Sequence, residues 1–380
     1  MHIKQQSGIV LALWLAATTG WTEMNQLHVV VTSTNVPGGA SLYLTGNDEL
    51  LGNWSPGGYA LSPAGEGRWE AFLRFDAGRA IEFKVTRGTW ESEALDEQGV
   101  VPANHTVTIE GETTMTIDVP SWKDSGNPVE GGITGEVRYH QAVEGQGAPP
   151  RDIIVWLPPG YEDGQAHYPV LYMHDGQNVF DPRTSFTGID WGVDEAADKL
   201  IREGSIRPCI VVGMYNTPIR RDEYGADETM THAYMEFVVK TVKPMIDAEY
   251  RTLVGRDDTF VMGSSMGGCI SWLLAWNYPQ VFSGAGCLSP AFMFGNIFND
   301  VASFSGPPKN LRIYLDNGGV GMDRDRMQPA LDELLAILPA QAPAIGLDYT
   351  WHQFANAEHN EAAWRDRIDL PLTYLLGTGP

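Results

Sequence analysis

The stretch TFVMGSSMGGCISW, residues 259–272, sets two adjacent serines in a glycine-rich turn between two apolar runs. A serine hydroxyl is a weak nucleophile until a positioned base takes its proton. The segment Gly263-Ser264-Ser265-Met266-Gly267 reads as G-x-S-x-G. The apolar TFVM before it and CISWLLAW after it provide the strand and helix that a nucleophile elbow needs. The glycines answer to crowding, because side chains flanking a strained turn would collide with the adjoining strand or helix backbone. Ser265 has glycine two residues to either side, whereas Ser264 has Met262 and Met266. The spacing therefore selects Ser265 as the nucleophile and turns Ser264 into the supporting structure.

A nucleophilic serine calls for a histidine base and an acid that orients it, in the chain order Ser, acid, His for an elbow of this kind. Two histidines follow Ser265, and His352 falls within the strand-like LDYTWHQF. His359 lies in NAEHNEAAW, in the turn between that strand and the last helix, and is the candidate base. The acid should follow the strand LRIYLDN, where LDNGGVGMDRDRM offers Asp316, Asp323 and Asp325. Asp316 belongs to the strand end, and Asp325 suits the start of the next helix, where its charge favours the dipole. We assign Asp323, on what reads as a glycine-rich loop, with Asp316 as the alternative. An oxyanion would be met by the backbone N–H of Met266 and by a second N–H from the loop HDGQNVF, at Gly176 or Gln177, with Gln177 taken as the donor. His174 and Asp175 in that loop have no third partner at metal-ligand spacing and are expected to shape the loop. Neither H-E-x-x-H nor a phosphate-binding loop is present, and neither a metal nor a cofactor is expected.

Two textures surround these residues. Up to about residue 120 the chain is a series of short alternating segments such as LHVVVTST, WEAFLRF and AIEFKVTR, the pattern of a small all-β sandwich or barrel. PSWKDSGNPVEGGITG is rich in Pro, Gly and Ser and reads as a linker. Beyond it apolar strands alternate with helix-length amphipathic segments, an α/β arrangement around a mainly parallel sheet. The expected strands are DIIVWLP, YPVLYMHD, CIVVGMY, TFVMGS, FSGAGCLS, LRIYLDN and LDYTWHQF. Expected helices include VDEAADKLIREG, AYMEFVVKTVKPMIDAEY and DRDRMQPALDELLAIL. The domain reading is a leader at 1–22, a β-sandwich at 25–120, a linker at 121–134 and the α/β domain at 135–377.

At 380 residues and a formal net charge of −23, the chain offers no basic stripe for nucleic acid or anionic membrane, while uncharged sugars meet no such repulsion. MHIK followed by SGIVLALWLAATTGW has the make-up of an export signal, shorter than a bilayer span, with cleavage expected near Thr19 to Thr22. A secreted or periplasmic location follows as an expectation. Cys209, Cys269 and Cys287 are odd in number and sit in apolar stretches, which points to buried free thiols rather than a disulfide framework.

Taken together, YPVLYMHDGQNVFD, GSSMGG and EHNEAAW resemble the Putative esterase (esterase D-like) family of α/β-hydrolases over roughly residues 135–377. That family includes feruloyl and acetyl esterases of plant polysaccharides, siderophore esterases, S-formylglutathione hydrolases and mycolyltransferases. The resemblance implies serine-ester chemistry at Ser265, Asp323 and His359, on acyl groups such as acetyl or feruloyl carried by a carbohydrate. A siderophore esterase or an acyltransferase would use the same triad. A non-catalytic glycan-binding protein is the reading outside enzymology. The N-terminal segment starting LGNWSPGGYA resembles the family 20 starch-binding modules, with the recurring features at Trp54, Trp69, Glu82 with Lys84, Trp90 with Glu91, and Asn104. Exposed indole faces stack on pyranose rings while an amide reads hydroxyls, so this resemblance implies sugar contacts at Trp54, Trp90 and Asn104. Trp69, opening an alternating strand, is expected in the core.

Overall fold

A computed structural model describes residues 24–37, 39–97, 101–102, 104–124 and 132–378. The leader reading at 1–22 lies outside these residues. No helix among them is long and apolar enough to cross a membrane. The chain divides into two compact units, residues 1–126 and 127–380.

The first unit is all-β. Its strands are β1 (Met24–Thr32), β2 (Tyr43–Gly46), β3 (Tyr59–Ala60), β4 (Ser62–Gly65), β5 (Arg68–Asp76), β6 (Ala80–Thr86), β7 (Ala94–Leu95), β8 (His105–Thr108), β9 (Thr113–Asp118) and β10 (Ser121–Trp122). They form two four-stranded sheets, ordered β4-β5-β1-β9 and β3-β2-β6-β8, and a β10-β7 pair. Period-two alternation builds the core. The β1–β5 register pairs Leu27 with Leu73 and Val29 with Ala71, all buried on one face. Leu44, Ile81, Phe83 and Val85 answer them from the second sheet. Trp69 is half-buried and packs against the same core, paired with Val31.

The second unit is an α/β sheet with helices on both faces. It opens with β11 (Glu136–Val143), β12 (Arg151–Leu157), β13 (Val170–His174), α1 (Val193–Arg202), β14 (Ile210–Met214), α2 (Glu228–Phe237) and α3 (Lys243–Glu249). There follow β15 (Thr259–Ser264), α4 (Met266–Asn277), β16 (Gly284–Leu288), α5 (Ile297–Ala302), β17 (Leu311–Gly318), α6 (Gln328–Ile345), β18 (Leu347–Phe354), α7 (Glu361–Arg365) and α8 (Asp369–Leu376). The eight strands run β11-β12-β14-β13-β15-β16-β17-β18. Those from β14 to β18 pair in parallel, and β11, β12 and β14 pair antiparallel. A strand buried on both faces needs apolar residues at consecutive positions. In β15, Val261 enters the core under α2, α4 and α6, while Phe260 and Met262 enter the core under α1 and α8. The Arg151–Glu223 ion pair is fully buried, with Thr217 Oγ1 donating to Glu223 Oε2 at 2.7 Å. It fastens the start of β12 to the segment after β14.

Three features differ from the sequence reading. The strand β11 is absent from it, because an edge strand with half-exposed residues such as Val137 and His140 lacks a continuous apolar run. The segment read as a linker is shorter than 121–134. Trp122 is fully buried in the first unit, and Ser121–Trp122 pairs with Ala94–Leu95. Thr134 belongs to the second, its N–H donating to Asp194 Oδ2 at 2.6 Å and its carbonyl accepting from Trp156 Nε1 at 2.6 Å. Residues 125–131 of that segment lie outside the described residues. Finally, α6 continues through Pro339 and Pro343 to Ile345, where the sequence reading stops at Leu338. Proline disfavours a helix interior, but Leu338, Ala342 and Ile345 bury one face against the sheet and carry the helix on.

Candidate active site

The turn from β15 into α4 places Ser265 at φ 56°, ψ −123°. A conformation of this kind costs about 1–3 kcal/mol and survives only where the surroundings over-determine it. Its N–H donates to Leu288 O at 2.8 Å, and its carbonyl accepts from Ala291 N at 3.0 Å and Gly268 N at 3.1 Å. A Cβ at Gly263 would stand 2.7 Å from the Gly267 carbonyl carbon, so the turn can close this tightly only with glycine there. Ser264 is buried.

Ser265 Oγ lies 2.8 Å from His359 Nε2, and His359 Nδ1 lies 2.6 Å from Asp323 Oδ1. These three groups come from the end of β15, the turn after β17 and the loop between β18 and α7. Asp323 is fully buried, and it opens a wide helical turn, Asp323–Met327, instead of standing free on a glycine loop. Its Oδ2 accepts from Gly318 N at 2.9 Å and from Ser289 Oγ at 2.9 Å, leaving Oδ1 to the imidazole. The glycines at 318 and 319 now have a physical reason. A Cβ at Gly318 would lie 2.3 Å from Asp323 Oδ2 and 2.4 Å from Ala357 O, and one at Gly319 would lie 2.4 Å from Ala355 O. The end of β17 is stripped of side chains so that the acid and the histidine loop can close on each other.

The other candidate carboxylates are engaged elsewhere. Asp316 is buried in a two-pronged ion pair with Arg367, at 3.0 Å to Nε and 3.0 Å to Nη2, and also accepts from Ser289 N at 3.0 Å. Asp325 pairs with Arg324 at the surface. His352 is exposed on β18 and stacks on Tyr314.

Met266 is the first residue of α4 and Gln177 lies inside the short turn Gly176–Asn178. Backbone N–H groups in the first turn of a helix have no intrahelical acceptor, and the helix dipole favours negative charge there. The second turn is held in place from several sides. Gln177 Oε1 accepts from Asn216 N at 3.1 Å, and its carbonyl accepts from Thr184 Oγ1 at 2.6 Å. A Cβ at Gly176 would meet Gly213 C at 2.5 Å, so the turn packs directly on β14. Asp175 adopts a left-handed conformation and binds Arg220 through Oδ1 at 2.6 Å and Oδ2 at 2.7 Å, with Asn216 Nδ2 at 2.7 Å. Burial works to raise its carboxyl, but the Arg220 guanidinium and the Asn216 amide hold it below the usual range. His174 is buried with Nδ1 2.7 Å from Tyr234 OH, and burial pushes its imidazole down to about 3, so it stays neutral. His174 and Asp175 thus shape the loop. The three cysteines are free and buried, and burial pushes the Cys209 and Cys269 thiols up to about 12.

In the first unit Thr86 Oγ1 donates to Pro56 O at 2.5 Å, which holds the loop of Trp54 against the turn leading to Trp90. Both indoles are half-buried. Asn104 Nδ2 donates to Glu82 Oε2 at 3.3 Å, while Lys84 is buried in an ion pair with Glu93 at 2.8 Å and donates to Pro102 O at 2.9 Å. Lys84 therefore ties β6 to Glu93 and to the Pro102 carbonyl.

With this geometry in place, comparison with known proteins gives the class. Residues 149–373 match the family model described as Putative esterase, and the chain belongs to that family. Residues 26–121 match the model described as Starch binding domain. Among curated relatives, an endo-1,4-beta-xylanase/feruloyl esterase of Xylanibacter ruminicola is 32% identical over 145 residues, 36% of this chain and 19% of that protein. An alpha-amylase of Niallia circulans is 33% identical over 91 residues, 24% of this chain and 7% of that protein. This chain thus spans only a small part of either relative. Among solved structures, a ferulic acid esterase has a TM-score of 0.52 at 16% identity, covering 64% of this chain and 99% of its own. The enterochelin esterase of Shigella flexneri has a TM-score of 0.52 at 14% identity, covering 93% of each chain. Both share the fold.

Residues that the sequence reading passed over include Ser289, Trp364 and Arg367 behind the acid, and Arg220 beside Asp175. Trp364 follows His359 within the segment EHNEAAW, whereas nothing in the sequence around Ser289 marks it. The crowding at β17 yields a direct test. Gly318→Ala is expected to displace Asp323 or the histidine loop and to lower esterase kcat by about 100-fold, the usual cost of misplacing a catalytic group by about 1 Å. Circular dichroism and kinetics on the purified variant would check this, and full activity would contradict the close-approach argument.

Proposed function

We propose that this protein is a secreted serine ester hydrolase acting on acetyl or feruloyl esters of carbohydrates. The observation that carries the reading is the continuous chain from Ser265 Oγ through His359 to Asp323, at 2.8 Å and 2.6 Å. Ser265 Oγ attacks the ester carbonyl carbon while His359 Nε2 takes its proton. Asp323 holds the Nδ1–H and stabilises the imidazolium. The oxyanion is met by the N–H groups of Met266 and Gln177, at the positive end of α4. The tetrahedral adduct collapses as His359 returns the proton to the departing alcohol. Water then attacks the acyl-enzyme by the same route, releasing the acid and restoring Ser265.

The carbohydrate reading is supported by the starch-binding match in the first unit and by the xylanase/feruloyl esterase relative. The net charge of −23 favours neutral sugars over anionic catecholates. A siderophore ester is the competing substrate, suggested by the enterochelin esterase whose fold spans 93% of this chain. Trp54, Trp90 and Asn104 are the proposed glycan contacts, brought by neighbouring loops of the first unit. The apolar segment near the N-terminus motivates the extracellular or periplasmic placement.

Ser265→Ala should lower p-nitrophenyl acetate turnover by roughly 10⁴-fold or more without loss of fold. Unchanged turnover would remove Ser265 as nucleophile. Run on the wild type beside acetylated xylan, methyl ferulate and a trilactone siderophore, the assay should favour one of the first two. Preference for the trilactone would overturn the carbohydrate reading. For the first unit, Trp90→Ala should weaken retention on insoluble starch by about tenfold or more while aryl-ester hydrolysis stays at the wild-type rate. Equal retention of the two proteins would exclude Trp90 as a sugar contact.

A further inference from the structure

The loop after β16 brings one hydroxyl to the back of the triad. Ser289 is fully buried with φ 40°, a left-handed conformation uncommon for a residue with a side chain. Its N–H is fixed on Asp316, with 3.0 Å to Oδ1 and 3.1 Å to the carbonyl. Its Oγ has three polar neighbours: Trp364 Nε1 at 3.1 Å, Arg367 Nη2 at 2.9 Å and Asp323 Oδ2 at 2.9 Å. An indole N–H and a guanidinium can only donate, and a serine hydroxyl has one proton and two acceptor lone pairs. Both lone pairs are therefore taken by nitrogen donors, and the proton has one direction left, towards Asp323. The orientation of this hydroxyl follows from the inventory of its neighbours.

We propose that Ser289 is a positioning residue for the triad, passing the polarisation of Arg367 to Asp323 through its hydroxyl, a role that rests on the serine-esterase reading above. The arrangement separates two tasks. Arg367 makes its direct ion pair with Asp316, which keeps that aspartate off the histidine. Asp323 receives a hydrogen bond strengthened by two donors behind it, so its Oδ2 is fixed without a cation in contact. Its charge then remains facing His359 through Oδ1, where an imidazolium would form. Trp364 ties the unit to the base itself, because its ring meets the His359 ring edge-on at 5.0 Å while its N–H serves Ser289. The second aspartate of the sequence reading is thus the anchor of the relay and the first is its output.

The test is a double-mutant cycle on the full chain with p-nitrophenyl acetate. Ser289→Ala is expected to lower kcat by about 10- to 100-fold, the loss of one hydrogen bond to a charged group, with KM within about threefold. In the Asp323→Ala background the same change should alter kcat by less than about twofold, because a residue acting through Asp323 has nothing left to act on. An equal factor in both backgrounds would make Ser289 an independent structural residue and overturn the proposal, as would wild-type activity of the single variant. Ser289→Cys keeps the side-chain volume with a weak donor and is expected to fall between wild type and alanine; it serves if the alanine variant does not fold. A readout that needs no turnover is the downfield N–H proton resonance of His359 in the wild type, which should shift or broaden away in either Ser289 variant. An unmoved resonance would overturn the relay even if the wild type proved inactive on every ester. An active wild type whose turnover survives Ser265→Ala would instead sink the esterase reading while that resonance still decided the relay.

Discussion

Everything around Ser265 depends on one crowded turn, in which this residue takes a conformation that side chains rarely adopt because no side chain at 263 prevents it. A Cβ there would lie 2.7 Å from the backbone of residue 267. The strain is held by backbone hydrogen bonds, Ser265 N–H donating to Leu288 O and Ser265 O accepting from Ala291 N–H, so the loop after β16 is part of the elbow. The same loop carries Ser289 to Asp323. Crowding recurs at Gly318 and Gly319, where carbonyls of the histidine loop come within the space a methyl would need. Close approach of three loops is thus written in glycines, and the polar groups act because those glycines let them meet.

Much of this was legible in the sequence, for identifiable reasons. A nucleophile turn between an apolar strand and an apolar helix has few alternative explanations, and Ser265 follows from the glycine spacing alone. His359 was readable because it is the late histidine placed in a loop. The choice between Asp316 and Asp323 was harder, since it depends on Arg367, 51 residues further on, which captures Asp316. No local pattern announces a partner at that distance. Ser289 escaped notice for the same reason, its neighbours being 34, 75 and 78 residues away. The α/β alternation and the parallel sheet were clear because strands buried on both faces are apolar throughout, whereas the half-exposed edge strand β11 was not.

The first unit follows a different logic. Its core comes from alternation on paired strands, so the sheets can be anticipated but the conformations of the loops that join them cannot. Lys84 reads in the sequence as one feature of a recurring pattern, and the structure shows it buried against Glu93 and the Pro102 carbonyl. The lysine supports the fold, while the Trp54 and Trp90 indoles are half-buried. The boundary moves as well: Trp122 is a core residue of this unit, although it sits in a stretch whose Pro, Gly and Ser content reads as linker.

The central claim is that Ser265, activated by His359, is the group that attacks an ester. Its most direct measurement is covalent trapping: incubation of the protein with a fluorophosphonate, digestion, and mass-spectrometric location of the phosphonyl group. The account predicts a single adduct on the peptide containing Ser265, formed at a rate that collapses in His359→Ala. An adduct on another residue, or labelling indifferent to the loss of His359, would contradict it.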